Sequence, residues 1–154
     1  MSPFTEAVLE LLSLTDGHSE PSLRELLEAR RPVEMQIARL AAERAEPSDI
    51  EAMEDSIVKL MDHVGGDGES RLHFDHFFHY AMGRAARSEL LAYYQHQILQ
   101  GITVVMHDYF IKQEDPDVVV DLHRRTLDAI KGGDLGQVDE VMDEHLAYLE
   151  RAVL

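Results

Sequence analysis

The chain has no cysteine. That excludes disulfides, thiolate metal sites and cysteine nucleophiles, and it fits an intracellular, cytoplasmic protein. Long apolar runs are also missing, so no transmembrane helix is expected. No basic region precedes an apolar block at the N-terminus, so no signal peptide is read either. Positive charge is scarce: 14 Lys and Arg face 30 Asp and Glu, for a formal net charge of −16. Such a surface repels a phosphate backbone, which makes these residues a poor nucleic-acid binder on their own. There is no convincing strand pattern, internal repeat, low-complexity tract or linker.

What remains is 154 residues, 45% hydrophobic and 29% charged, enough for one ordinary domain with a real core. Glycine and proline fall at seams, and the periodicity between them is helical. Residues 3–14 read as a short helix and Thr15–Pro21 as a loop. Ser22 with Glu25 forms a capping box that opens a long helix to about Ala45, which the internal Pro32 should kink or restart. Ser48 and Glu51 read as a second capping box, opening a helix that Gly65-Gly66 ends. Two helices are expected from about Asp67 to Ala86 and from about Ser88 to Lys112, the latter with Leu91, Tyr94, Ile98, Ile102, Val105 and Tyr109 in register. Asp115-Pro116 starts the next, which ends at Gly132-Gly133, and Asp134 caps the last. The expectation is an all-α antiparallel bundle of about seven helices. The acidic stretches Glu114–Asp117 and Asp139–Glu144 read as solvated faces.

The histidines carry the chemistry, nine of them in the chain. In RLHFDHFFHYAMGRAARSELL, residues 71–91, Asp75 and His79 are four apart and so lie one turn above each other on one helix face. A helical wheel puts both beside the apolar centre of Phe74, Phe78, Met82 and Ala85, with His73 and His76 toward the polar face. His123 stands on the stripe of Val119, Val120, Leu127 and Ile130, and His145 on that of Val138, Val141 and Tyr148. One carboxylate and three imidazoles from three helices thus face the bundle interior. A buried carboxylate without partners costs several kcal/mol, and a shared cation removes that cost. Aspartate oxygen and neutral imidazole suit zinc, nickel, manganese or iron(II). Each histidine taken alone is more often a hydrogen-bonded core residue than a ligand; the joint placement on inner faces brings the metal reading level with the packing one.

Several stretches then resemble a known family. LLEARRPVEMQIARLAAERA has an R-x3-E element and an alanine-rich continuation, FDHFFHYAM a D-x2-F-H motif, and LHRRTLDAIKGGDLGQVDEVMDEHL an H-x3-L-x-A-I-x-x-G-D…H-L segment. The order D-x3-H, a histidine 44 residues on and another 22 later resembles the C-terminal effector domain, the FCD domain, of GntR-family regulators of the FadR-like branch. The likeness runs from about Ser22 to the end. It implies that Asp75, His79, His123 and His145 bind a divalent metal, zinc or nickel ahead of manganese or iron. It implies that Arg30, four before Glu34, holds the carboxylate of a small effector, a role that a forked guanidinium suits. The residue-level alternative for Arg30 is a surface ion pair with Glu34. The resemblance also implies a homodimer. Where the family often has Gly-Asn, this chain has Arg87-Ser88. The family's N-terminal winged helix-turn-helix has no counterpart in these residues, so residues 1–154 read as a single ligand-binding and dimerisation domain, and DNA contact is expected only through such a domain in a longer parent.

Three functions compete: a metal- and carboxylate-sensing module of a transcription regulator, a metal-dependent enzyme built on the three histidines and the aspartate, and a metal-free helical interaction domain. No inward-facing base beyond the ligands supports hydrolysis, and the E-x-x-H pairs of di-iron bundles are missing. The sensor, not an enzyme, is the reading preferred.

Overall fold

The computed structural model describes residues 21–66, 68–113 and 115–154, which among them form helices and their connections only. In order these are α1 (Leu23–Arg44), α2 (Pro47–Asp62), α3 (Gly68–Ala85), α4 (Glu89–Gln113), α5 (Pro116–Gly132) and α6 (Leu135–Val153). The all-α expectation holds, with six helices among the described residues. The expected helix over residues 3–14 and nearly all of the loop after it lie outside them. No described helix is long and apolar enough to cross a membrane.

Local chemistry explains most boundaries. Ser22 Oγ accepts from the Glu25 N–H at 3.3 Å, while the Glu25 carboxylate accepts from the Ser22 N–H at 2.8 Å. This reciprocal cap satisfies two donors that the first turn would otherwise leave bare. Asp115 and Asp134 cap α5 and α6, and Gly133 closes α5 in the left-handed region at φ 70°. The second cap is corrected. Helix α2 starts at Pro47, and it is the Asp49 carboxylate that accepts from the Glu46 N–H at 2.9 Å. Proline's fixed φ suits the first helical position, which moves the cap two residues upstream of Ser48.

Pro32 does not restart α1. The proline is exposed, and so is Glu28, whose carbonyl loses its helical partner and can turn to solvent. Helix α1 packs against α3, α4, α5 and α6, and α2 lies on α3 and α5. The buried side of α1 runs Leu26, Leu27, Arg30, Glu34, Ile37, Ala38 and Ala41. Leu26 and Leu27 join a small apolar cluster with Leu72, Ile102 and Leu149. Ile37, Ala38 and Ala41 join the main core with Phe78, Met82 and Met142. Between the two clusters lie Arg30 and Glu34, and burying two charged groups there demands partners.

Helix α4 corrects its expected register. Tyr94 and Val105 are about half exposed, and the buried positions are Gln95, Leu99 and Ile102. Tyr109 lies outside the described side chains. Tyr and Val can occupy an exposed face, so an apolar stripe on one helix does not say which edge faces the neighbour.

Candidate functional site

Asp75 and His79 come from α3, His123 from α5 and His145 from α6, and all four are buried. One ring nitrogen from each histidine lies within 4.8 Å of the others. The ring centroids of His145 are 4.9 Å from His79 and 5.0 Å from His123. Asp75 Oδ1 sits 2.9 Å from His123 Nε2 and 4.0 Å from His79 Nε2. The sequence-predicted set is therefore one cluster, assembled from three helices. Phe78 stacks on the His123 ring at 4.3 Å and 11° and fixes its plane.

Hydrogen bonds behind the rings decide which nitrogen faces inward. His79 Nδ1 lies 3.1 Å from Glu34 Oε2. An ionised carboxylate only accepts, so Nδ1 carries the hydrogen and Nε2 presents its lone pair. At His145, Nδ1 lies 3.1 Å from Thr126 Oγ1, whose own hydrogen is donated to the Leu122 carbonyl at 2.8 Å. The hydroxyl must then accept from His145, and again Nε2 is left as an acceptor. His123 Nδ1 has no hydrogen-bond partner among the described residues, and the group next to Nε2 is the Asp75 carboxylate, 2.9 Å away. Burial lowers the pKa of His123, and that of His145 well below its ordinary value. Neutral imidazoles with inward lone pairs are what a metal ion requires. Burial alone would raise the Asp75 carboxyl, but His123 beside it, then His79 and His76, hold it well below the usual carboxylate range.

Arg30 is buried, which removes the surface ion-pair reading, although it does meet Glu34, Nε to Oε1 at 3.4 Å. Its Nη2 reaches His79 Nε2 at 3.2 Å. Glu34 is fully buried, and burial alone would raise its carboxyl. Contact with His79, then with Arg30 and Gln95, outweighs this and brings it down to about 2. Gln95 Nε2 donates to Glu34 Oε2 at 3.2 Å and to the His79 carbonyl at 2.8 Å. Sequence reasoning missed Gln95 and Thr126, and it saw Glu34 only as a partner of Arg30. The available signal was a polar residue on an apolar stripe: Glu34 precedes Ile37, Ala38 and Ala41 at i+3, i+4 and i+7, and Gln95 lies four before Leu99.

His73 is exposed, as expected, whereas His76 is buried, which corrects the wheel. Helix α4 covers that side of α3, and His76 Nδ1 lies 3.2 Å from Thr103 Oγ1. A wheel drawn for α3 alone cannot register a second packing partner. Burial takes the His76 pKa down to about 4.

A cavity of about 20 Å³ touches Arg30, Asp75, His79, Leu122, His145 and Tyr148. That admits one water-sized or ion-sized occupant, not a carboxylic acid beside Arg30 as it stands. A far larger open groove of about 880 Å³ lies along another face of α3, lined by His73, Phe77, Tyr80, His96 and Thr103 among others. It does not include the clustered nitrogens, so size alone does not identify the chemical site.

Among known proteins, HTH-type transcriptional regulator LutR of Bacillus subtilis (strain 168) is 29% identical over 133 residues. The alignment covers 83% of this chain and 60% of that longer protein. The solved structure of E. coli McbR/YncC has the same fold, with a TM-score of 0.72 at 19% identity, over 100% of this chain and 82% of that one. The FCD domain family matches residues 25–148, so the resemblance read from the D-x3-H…H…H order stands: the chain belongs to the FCD domain family.

Proposed function

We propose that this FCD domain binds one divalent metal ion through Asp75, His79, His123 and His145, and senses a small carboxylate held between that ion and Arg30. One observation carries the metal reading. Three imidazole nitrogens lie within 4.8 Å of one another, and two of the three rings are tied behind, by Glu34 and Thr126, with their lone pairs inward. The residues present fit such an ion: His123 Nδ1 is buried without a hydrogen-bond partner among the described residues, and the donors are nitrogen and oxygen, which suit zinc or nickel first and manganese or iron(II) next.

Charge supports the carboxylate. Around His79 the ionised buried groups are Glu34, Asp75 and Arg30, which leave one uncompensated negative charge. A divalent ion turns this into one positive charge, and a single carboxylate closes the balance. Buried charge is least costly when neutralised. The ion would supply Lewis acidity toward a ligand oxygen, and Arg30 a forked donor.

In a longer regulator the domain would pair with a second copy and bias the relative position of two DNA-binding domains. The effector shifts that equilibrium only by its difference in affinity for the two states. Leu90, Tyr93, Tyr94, Val104 and Val105 of α4 are exposed apolar side chains and form the surface offered for self-association.

Elemental analysis of untagged protein purified without chelator tests the metal. The expected result is about one zinc, nickel, manganese or iron per chain, kept in His73→Ala and lost in His145→Ala. Equal metal content in the two variants, or none in either with no stabilisation by added divalent ions, would leave the histidines as packing residues. A thermal-shift screen of hydroxy acids, sugar acids and dicarboxylates on the loaded protein tests the sensor, and Arg30→Ala should keep the metal and weaken the hit.

A further inference from the structure

We propose that Arg30 and the metal ion are alternative occupants of the His79 Nε2 lone pair, so that loading the ion hands the Arg30 guanidinium to the carboxylate ligand. The inference rests on the metal reading above and goes beyond it, because it couples the two ligands through one side chain.

His79 lies between two groups of fixed hydrogen-bond sense. Glu34, an obligate acceptor, meets Nδ1 at 3.1 Å, and Arg30, an obligate donor, meets Nε2 at 3.2 Å. Only the tautomer with hydrogen on Nδ1 satisfies both. The single lone pair of Nε2 is then spent on the Arg30 Nη2–H. An ion bound by His79 needs that same lone pair, because Nδ1 has none to give. Ion and guanidinium therefore exclude each other at this atom, and their like charges add to the exclusion.

Displacement does not release Arg30 altogether. Its Nε stays near Glu34 Oε1, at 3.4 Å, so the side chain is tethered while Nη2 leaves the ring. A freed N–H in a buried site needs an acceptor. The carboxylate of an incoming ligand supplies it, next to an ion that takes the second oxygen. The cavity at this point holds about 20 Å³, enough for the ion alone, so a carboxylate enters only when a side chain moves. Arg30 lines that cavity and is the group the ion pushes. Linkage makes the effect reciprocal: whatever draws Arg30 off His79 tightens the ion, and the ion tightens the carboxylate by the same factor.

The test uses the whole chain, stripped with chelator, and titrates Zn²⁺ against a chromophoric competitor, with and without sodium acetate at constant ionic strength. Acetate should tighten Zn²⁺ binding in the wild type. Arg30→Ala should bind Zn²⁺ about tenfold more tightly or better, since the competing charged hydrogen bond is gone, and should lose the acetate dependence. Arg30→Ala affinity equal to or weaker than wild type overturns the proposal. A second readout needs no variant to fold perfectly and separates displacement from simple charge repulsion. The Arg30 guanidinium ¹⁵N resonances, assigned by their loss in Arg30→Lys, should move as Zn²⁺ is added to the wild type. Unchanged resonances at full loading also overturn it. The parent reading fails separately. No Zn²⁺ binding by the wild type, or binding undiminished in His123→Ala, removes the metal site and this coupling with it. Binding that His123→Ala abolishes but that Arg30→Ala leaves unchanged removes the coupling alone.

Discussion

Gly83→Ala should destabilise the protein, although replacing a mid-helix glycine usually does the opposite. Gly83 is buried in α3, and a Cβ there would stand 2.1 Å from Gln95 Oε1 and 3.1 Å from its Cδ. The end of a flexible side chain normally gives way cheaply. Gln95 cannot, because it is 2% exposed and its Nε2 is committed to Glu34 and to the His79 carbonyl. Losing the bond to an ionised, buried carboxylate costs about 1.5–3 kcal/mol, and overpacking the site about 1–3 kcal/mol. The gain in helix propensity returns about 1 kcal/mol. The balance is a loss of about 1.5–5 kcal/mol, which lowers Tm by roughly 3–20 °C in a domain of this size. Urea unfolding in chelator on Gly83→Ala, Gln95→Ala and the double variant measures it. With Gln95 truncated, Gly83→Ala should become neutral or stabilising by up to about 1 kcal/mol. A single variant at least as stable as the wild type would refute the reasoning, since it would mean that Gln95 moves freely and that Glu34 does not need it.

Two further outcomes concern stability. Arg87 holds φ 53° in the left-handed region, at a position where only glycine is at ease, and its Nη2 meets the buried Asp49 at 2.7 Å and Glu46 at 2.9 Å. Arg87→Ala keeps the strain and loses both partners, whereas Arg87→Gly loses the partners and relieves about 1 kcal/mol of strain; equal urea midpoints for the two would show that φ is not strained. In metal-free protein, acid should lower stability in two stages. The His76 pKa falls from 6.5 unfolded to about 4 folded, so its contribution is complete above 6.5 and is lost as pH drops toward 4, roughly 3 kcal/mol in all. His123 and His145, also lowered, act in the same direction. Glu34, lowered from 4.5 to about 2, adds a further loss as pH falls below 4.5. A urea midpoint that stays constant from neutral pH down to 5 would contradict the first stage.

Some of this was written in the chain. The cap at Ser22, the glycine stop at 133 and the aspartate caps at 115 and 134 act within one turn, so sequence-local chemistry sets them. The inward position of Asp75, His79, His123 and His145 follows from apolar residues three and four away on each helix, because a helix couples those positions rigidly. The all-α class and the inward-facing set were therefore legible. The roles of the groups behind them were not. Whether His76 is buried depends on where α4 lies, and α4's own apolar stripe pointed to Tyr94 and Val105, not to Gln95.

The sequence by itself thus determined the six described helices, most of their ends and which four metal-binding candidates face inward, because each is governed by residues within a turn. Only the tertiary structure decided that Glu34 and Gln95 meet His79, that Thr126 backs His145, and that Arg30 leaves the surface to reach the His79 ring. Arg30 and His79 are 49 residues apart, and Glu34 and Gln95 61 apart. Their contacts depend on how α1, α3 and α4 dock, a choice that the periodicity of any single helix leaves open.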